Sequence, residues 1–229
     1  MKLMNFELTA EFEFTEPLHF GTGLSLLGVA DRTIGLDAKG KPMLRGEALK
    51  GAIRGNAERL VRWLLTSQQS VTAEQEDHSL PPAGSLQRIF RGAGDDAAFY
   101  RFDTPRYVDG GQLQQIAATR IDNQTGVAAN QSLRILQSWT PGARFGVTIR
   151  GFQGNWNQPG HSDVFDLTLL VAALVCTASV GGRKGVGHGG LQISSLHSPH
   201  LVLPDPGDIV QIQALQHYLQ SGHEVAQNA

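Results

Sequence analysis

Six glycines fall within ten residues of Gly181-Gly182-Arg183-Lys184-Gly185-Val186-Gly187-His188-Gly189-Gly190. So much backbone freedom costs conformational entropy unless the chain must turn sharply or lie against something. With Arg183, Lys184 and His188 beside it, such a loop presents amide donors and cations to a phosphate chain. A plain tight connection is the alternative. Gly185, Gly187 and Gly190 satisfy G-x-G-x-x-G, but the loop follows an apolar helical stretch and leads into a strand, the reverse of a dinucleotide fingerprint. It also lacks the Gly-Lys-Ser/Thr ending of a P-loop.

A second cationic group lies in Pro42-Met43-Leu44-Arg45-Gly46-Glu47-Ala48-Leu49-Lys50-Gly51-Ala52-Ile53-Arg54. Arg45 precedes a helix, and Lys50 and Arg54 stand four residues apart on its first turns. Cations there oppose the helix dipole, so a bound anion explains them better than helix stability does. A solvated polar face is the competing account. Asp31, in Gly28-Val29-Ala30-Asp31-Arg32, is a carboxylate in a glycine-bearing loop, able to orient a nucleophile or to hold hydrated Mg²⁺ or another divalent cation. Aspartate is equally a turn former. His19 beside Gly21 has the chemistry of a general base, or of a histidine that fixes a loop.

Other constellations are missing. None of the eight histidines stands in H-x-x-x-H, no cysteine–histidine spacing suits zinc, and no G-x-S-x-G elbow exists. The lone Cys176 excludes an intramolecular disulfide framework and sits in an apolar run as a core residue.

The elements that carry these residues follow from periodicity. Alternation over residues 3–14 (Leu3, Phe6, Leu8, Phe12, Phe14) predicts a strand with one buried face, and Pro17, Gly21 and Gly23 open a loop to about residue 31. Leu49, Ile53, Ala57, Leu60, Val61 and Leu64 recur at helical spacing over 46–65. Gly51 and Gly55 weaken that helix by about 1 kcal/mol each, which suggests close approach of a backbone or ligand. Residues 66–98 are polar, acidic and turn-rich and predict an exposed insertion with a short helical piece near 86–90. Residues 99–135 predict short extended segments around a turn at Asp122-Asn123-Gln124-Thr125-Gly126, a projecting hairpin. Alternation predicts a strand over 144–152, an apolar helix spans 164–179, and a strand covers 191–196. The order fits an α+β fold with a mainly antiparallel sheet of ferredoxin-like or RRM-like kind, in one domain over 1–229.

At 41% hydrophobic and 17% charged, the chain is neither a disordered tail nor a fibre. The longest apolar stretch, 167–180, is too short and too interrupted for a membrane span, and the N-terminus does not read as a signal peptide, so a cytoplasmic protein is expected. The net charge is −2, yet residues 31–62, 120–150 and 181–203 hold fourteen of the nineteen Lys and Arg and five of the twenty-one acids. Those segments carry +9 and the rest −11, so folding them onto one face would make a polyanion-binding surface.

Three blocks together resemble the RAMP superfamily of CRISPR-associated proteins. Pro17 to Gly23 leading to Gly40–Arg54 is similar to "G-x-P-x-I-x-G-S-S-L-K-G-x-x-R", with Glu47-Ala48 in place of Ser-Ser. Arg120-Ile121-Asp122-Asn123-Gln124-Thr125-Gly126-Val127-Ala128 is similar to "R-x-x-I-D-R-x-T-G-x-A", with Asn123 for the usual arginine. The glycine loop is the third block. The second points to the backbone subunit of type III (Csm/Cmr-like) effector complexes.

The resemblance implies an RRM-like fold with a thumb hairpin at about 99–140. It also implies copies stacked along guide RNA, assembly with other effector subunits, and metal-dependent cleavage of paired target RNA. By motif, Lys50 and Arg54 would contact guide phosphates and Arg120 to Gly126 would lie in or near the thumb. Gly182, Arg183 and Lys184 would line the RNA groove, and Asp31 would take the place of the cleavage aspartate, here without the usual following proline. A non-catalytic scaffold subunit is the alternative, and a guide-processing ribonuclease using His19 a further one. RNA held through its sugar-phosphate chain needs a basic groove and close-approaching glycines, with sequence choice left to base pairing.

Overall fold

The computed structural model describes residues 4–27, 29–67, 83–90, 100–153, 163–182, 185, 187–199 and 203. Arg183, Lys184, most of the 66–98 insertion and the segment from Pro204 onward lie outside the described residues.

The alternation at the N-terminus becomes β1 (Met4–Phe14), with Leu8, Ala10, Phe12 and Phe14 fully buried. Helix α1 (Gly46–Ser67) lays its stripe of Leu49, Ile53, Ala57, Val61 and Leu64 over the same core. After α2 (Ala83–Phe90) come two short edge strands, β2 (Tyr100–Phe102) and β3 (Arg106–Asp109). Strands β4 (Leu113–Ala118) and β5 (Arg134–Trp139) form a separate two-stranded hairpin. Then β6 (Arg144–Gln153), α3 (Asp163–Val175) and β7 (Leu191–His197) follow among the described residues.

The main sheet has the order β2-β6-β1-β7, with β3 also on β6, and every pair is antiparallel. Counting β1, β2, β6 and β7 as the four strands of this path gives a βαββαβ unit in spatial order 2-3-1-4. That is the split βαβ arrangement of ferredoxin-like folds. The β4–β5 hairpin is inserted between its second and third strands.

One face of the sheet carries the helices. Phe145, Val147 and Ile149 of β6 join the β1 side chains, and Leu169 to Leu174 of α3, all fully buried, close the second layer. Each Phe, Leu, Ile or Val side chain among them contributes about 1.5–3 kcal/mol by leaving water. Helix α3 stops at Val175, four residues before the expected end. The Thr177 hydroxyl donates back to the Ala173 carbonyl at 2.8 Å, and Ser179 bridges to Gly190 instead of continuing the helix.

Helix α2 is seated in the core rather than displayed on a surface insertion. Ile89 and Phe90 are buried, and Arg88 holds Asp166 of α3 at 2.6 and 2.7 Å, with Asp166 almost wholly inaccessible. The sheet's other face carries Glu7, Thr9, Glu11 and Glu13 of β1. Arg150 and Arg144 of β6 pair in register with Glu7 and Glu13.

Candidate nucleic-acid interface

The loop after β1 is ordered by its own short-range hydrogen bonds. Gly35 N–H donates to Phe20 O at 2.9 Å, Gly21 bridges Ile34, and the Thr22 and Thr33 hydroxyls meet at 2.6 Å. The result is a narrow two-armed projection with Leu26 and Ala30 paired near its end. Leu24, Leu26, Leu27 and Val29 are exposed on it, Leu27 at 98%.

This projection closes the edge of β5 that β4 leaves open. Asp31 N–H donates to Ile135 O at 2.8 Å, Gln137 N–H donates to Arg32 O at 2.9 Å, and Trp139 and Leu18 exchange both bonds at 2.9 Å. Two side chains finish the edge. The Asp31 Oδ2 atom accepts from Ile135 N–H at 2.7 Å, and His19 Nδ1 lies 2.7 Å from Gln137 O. A carbonyl only accepts, so Nδ1 carries the proton and, in the neutral ring, Nε2 is the bare nitrogen. A Cβ on Gly21 would lie 3.1 Å from Nε2, so glycine makes the room for this ring. Both residues with candidate catalytic chemistry are therefore fixed to one strand edge.

They differ in access. His19 is 5% exposed, whereas Asp31 lies on the surface with Oδ1 unbonded among the described residues. No group of three His, Cys, Asp or Glu side chains suited to a metal occurs among the described residues. Mg²⁺ is commonly held by one or two carboxylates with phosphates and water completing its shell, and Asp31 Oδ1 is the kind of group that could supply one such ligand.

At the far end of the hairpin, the Asp122 Oδ1 atom accepts from Gln124 N–H at 2.8 Å and Thr125 N–H at 3.0 Å. Those amides, Thr125 first, hold the Asp122 carboxyl below its usual range. Gly126 takes φ +69°, and Asp122 N–H donates to Val127 O at 2.8 Å. The Asp and Gly of this motif thus shape the turn, while Arg120 and Asn123 are exposed on it. Ile121, Val127 and Leu133 add exposed apolar surface.

The start of α1 rests on the chain between β2 and β3. A Cβ on Gly46 would lie 3.7 Å from Thr104 Cα, and Lys50 Nζ sits 5.5 Å from the centre of the Phe102 ring. Arg45 is exposed, and Arg54 pairs with Glu58 at 2.8 Å. Lys50 and Arg54 thus have partners within the chain, while Arg45 stands exposed at the helix start. Gly51 and Gly55 have no atom within 4 Å of an added Cβ, so no backbone of the described chain approaches them.

Packing within the chain explains half of the glycine loop. Added Cβ atoms would lie 2.6 Å from the Phe20 ring at Gly181, 2.0 Å from Val180 O at Gly189 and 2.7 Å from Glu16 at Gly190. Gly182 is exposed and donates its N–H to His19 O at 3.3 Å. Gly185 and Gly187 face open space, and His188 is half-buried.

Charge counting along the chain does not show which cations the fold pairs with carboxylates, inside the three basic segments or outside them. Arg101 is 81% exposed and pairs with Asp103 at 3.3 Å, and Arg150 pairs with Glu7 at 3.0 Å and also with Asp103. Arg144 pairs with Asp109. The open face is thus a mosaic of paired charges with a glutamate stripe, unlike the aromatic platform on which RRM sheets stack bases. The Arg101 and Arg106 signal was present in the sequence as the alternating runs Tyr100-Arg101-Phe102 and Arg106-Tyr107-Val108. No helix among the described residues is long and apolar enough to cross a membrane.

Comparison with known proteins gives a consistent picture. Comparison with curated protein sequences returns no match. Among solved structures, the chain resembles one in "Type III-B Cmr-beta Cryo-EM structure of the Apo state", with TM-score 0.55, 11% identity, 86% of this chain and 99% of that one covered. It also resembles one in "Cryo-EM structure of the Type III-B Cmr-beta bound to cognate target RNA", with TM-score 0.54, 10% identity and coverage of 82% and 96%. At those identities the likeness is one of fold, and it matches the α+β architecture expected from the sequence. A model of the RAMP superfamily matches residues 11–192, which is most of the chain, and the chain belongs to that superfamily.

Proposed function

We propose that this protein is a backbone subunit of a type III CRISPR effector complex that binds guide RNA and cleaves the paired target RNA with Asp31. The observation that carries the reading is the Asp31 carboxylate, anchored through Oδ2 to Ile135 in β5, near the turn end of the hairpin ladder, while Oδ1 stays open to solvent. A carboxylate held in this way accepts a proton at a fixed place. Ribose 2′-hydroxyl attack on the adjacent phosphorus then forms the new P–O bond as the 5′-oxygen leaves with a proton from water. Mg²⁺ or another divalent cation bound through Oδ1 would supply charge neutralisation at the phosphate. Membership of the superfamily and the likeness to subunits of Cmr complexes support the partners: guide RNA, target RNA, other effector subunits and further copies of this chain. The site of action would be the cytoplasm.

A specific observation favours a second reading, a non-catalytic scaffold subunit. The Asp31 carboxylate already has a structural task at Ile135. Processing of guide RNA through His19 has less support, because that ring is buried and spends its proton on Gln137 O. Reconstitution with neighbouring subunits and guide RNA, followed by target cleavage in Mg²⁺ and in EDTA for wild type and Asp31→Ala, separates these readings. Evenly spaced, metal-dependent cuts that vanish in the variant support the ribonuclease. Particles that protect RNA and never cut it support the scaffold.

A further inference from the structure

Between the two arms of the β4–β5 hairpin, just below its turn, lies an open cleft of about 390 Å³ whose lining includes Thr119, Arg120, Asn130, Gln131, Ser132 and Arg134. No carboxylate lines it. Arg120 comes from one arm and Arg134 from the other, both exposed, and neither guanidinium has an ion pair or a side-chain hydrogen bond among the described residues. That contrasts with the sheet face, where Arg101, Arg144 and Arg150 each hold a carboxylate. Like charges set on facing arms of a two-stranded hairpin oppose its closure unless an anion is shared between them.

The floor of the cleft is fixed in advance. The Thr119 and Ser132 hydroxyls meet at 2.7 Å, Arg120 N–H donates to Ser132 Oγ at 3.3 Å, and Ala129 N–H donates to Arg120 O at 2.8 Å. Gln131 lies in the left-handed region with φ 55°, the only non-glycine residue among the described ones to do so. Such conformations persist where surrounding contacts impose them, and they cluster at binding sites. Two planar guanidinium forks in an acid-free, hydroxyl-floored cleft match the geometry of a phosphate.

We propose that this cleft is a phosphodiester seat, in which Arg120 and Arg134 together hold one phosphate of an RNA strand. The proposal rests on the RNA-binding function proposed above and adds Arg134 to it. Arg134 directly precedes Ile135, the residue that anchors Asp31. A phosphate held here lies against the same β-strand that anchors the Asp31 carboxylate, and Arg134 is the RNA contact next to that anchor. Contacts of this kind carry no base information.

Two measurements on the full chain test the seat. Inorganic phosphate is titrated into the free protein while the arginine Nε–Hε resonances are followed, with chloride at equal ionic strength as the reference. Guide-RNA binding by wild type, Arg120→Gln, Arg134→Gln and, as a control on the sheet face, Arg150→Gln is then measured against salt. The seat predicts that phosphate and not chloride shifts Arg120 and Arg134. It also predicts that each hairpin variant binds about tenfold more weakly at low salt with a log–log salt slope smaller by about 0.7, while Arg150→Gln matches wild type. Wild-type RNA binding that is indifferent to both hairpin substitutions, or resonances that ignore phosphate, overturns the seat and leaves the effector-subunit reading intact. Phosphate-responsive arginines in a chain that takes up no guide RNA overturn the effector-subunit reading and keep the anion seat.

Discussion

Asp31 and Ile135 exchange two hydrogen bonds across 104 residues of sequence: the Asp31 N–H donates to the Ile135 carbonyl at 2.8 Å, and the Asp31 carboxylate accepts the Ile135 N–H at 2.7 Å. One residue thereby joins the projection after β1 to β5 near the turn end of the hairpin ladder. The carboxylate is both a strut and an open acid–base group, and the two roles are separable by substitution. Asparagine keeps an oxygen for the Ile135 N–H and loses the charge, whereas alanine loses both. Urea titration is expected to show Asp31→Ala less stable than wild type by about 1 kcal/mol and Asp31→Asn by clearly less. Equal losses in the two variants would mean that the Ile135 bond contributes nothing.

The Arg88–Asp166 pair is the firmest polar contact between α2 and α3, with side chains only 16% and 2% exposed. Removing one partner takes a close, buried counter-charge away from the other. Asp166→Ala is expected to lower stability by about 3–5 kcal/mol, and a paired Arg88→Met, Asp166→Leu chain to recover most of it. Chemical denaturation of wild type and the two variants measures both, and a double variant as unstable as the single one would contradict the reading.

The glycines of the 181–190 loop divide by what surrounds them. Gly189 has φ +76° and no room for a Cβ beside Val180 O, so Gly189→Ala is expected to cost about 2–5 kcal/mol. Gly185 has nothing within 4 Å, and Gly185→Ala is expected to leave thermal stability within about 0.5 kcal/mol of wild type. A loss of guide-RNA affinity in Gly185→Ala at unchanged stability would then report a close approach of RNA to that backbone.

Acid should loosen the hairpin turn before the rest of the fold. The amides of Thr125 and Gln124 hold the Asp122 carboxyl below its unfolded value of 3.8. A group with a depressed folded pKa adds stability above the unfolded pKa, and that stability drains away as pH falls through the folded one. Amide exchange at Gln124 and Thr125 should therefore keep its relative protection from pH 7 to about 4 and lose it below, and Asp122→Ala should abolish this dependence. Protection unchanged down to pH 2 would rule out the turn as its source.

Much of the core could be read from residue order alone. The alternation that buries Leu8, Phe12 and Phe14 and the helical stripe from Leu49 to Leu64 are local patterns, and both describe faces that the fold covers. The Asp122–Gly126 turn was equally legible, since its hydrogen bonds span at most five residues. What sequence could not show were contacts between distant segments. The partners of Asp31 and His19 on β5 lie more than 100 residues away. Gly181 and Gly189 mark close approaches to Phe20 and Val180 that resemble ligand-ready flexibility until those neighbours are known. The seating of α2 hung on Arg88 finding Asp166, again a long-range pair in an otherwise polar stretch.

The account turns on the open oxygen of Asp31, and Asp31→Asn tests it most directly. Complexes reconstituted with guide RNA and neighbouring subunits are given paired target RNA in Mg²⁺, and both cleavage and particle assembly are measured. The account predicts that Asp31→Asn assembles and protects guide RNA as wild type does while its evenly spaced cuts fall by at least about a hundredfold. Cuts that persist at the wild-type rate in an intact Asp31→Asn particle would contradict it, and would make Asp31 the strut of a scaffold.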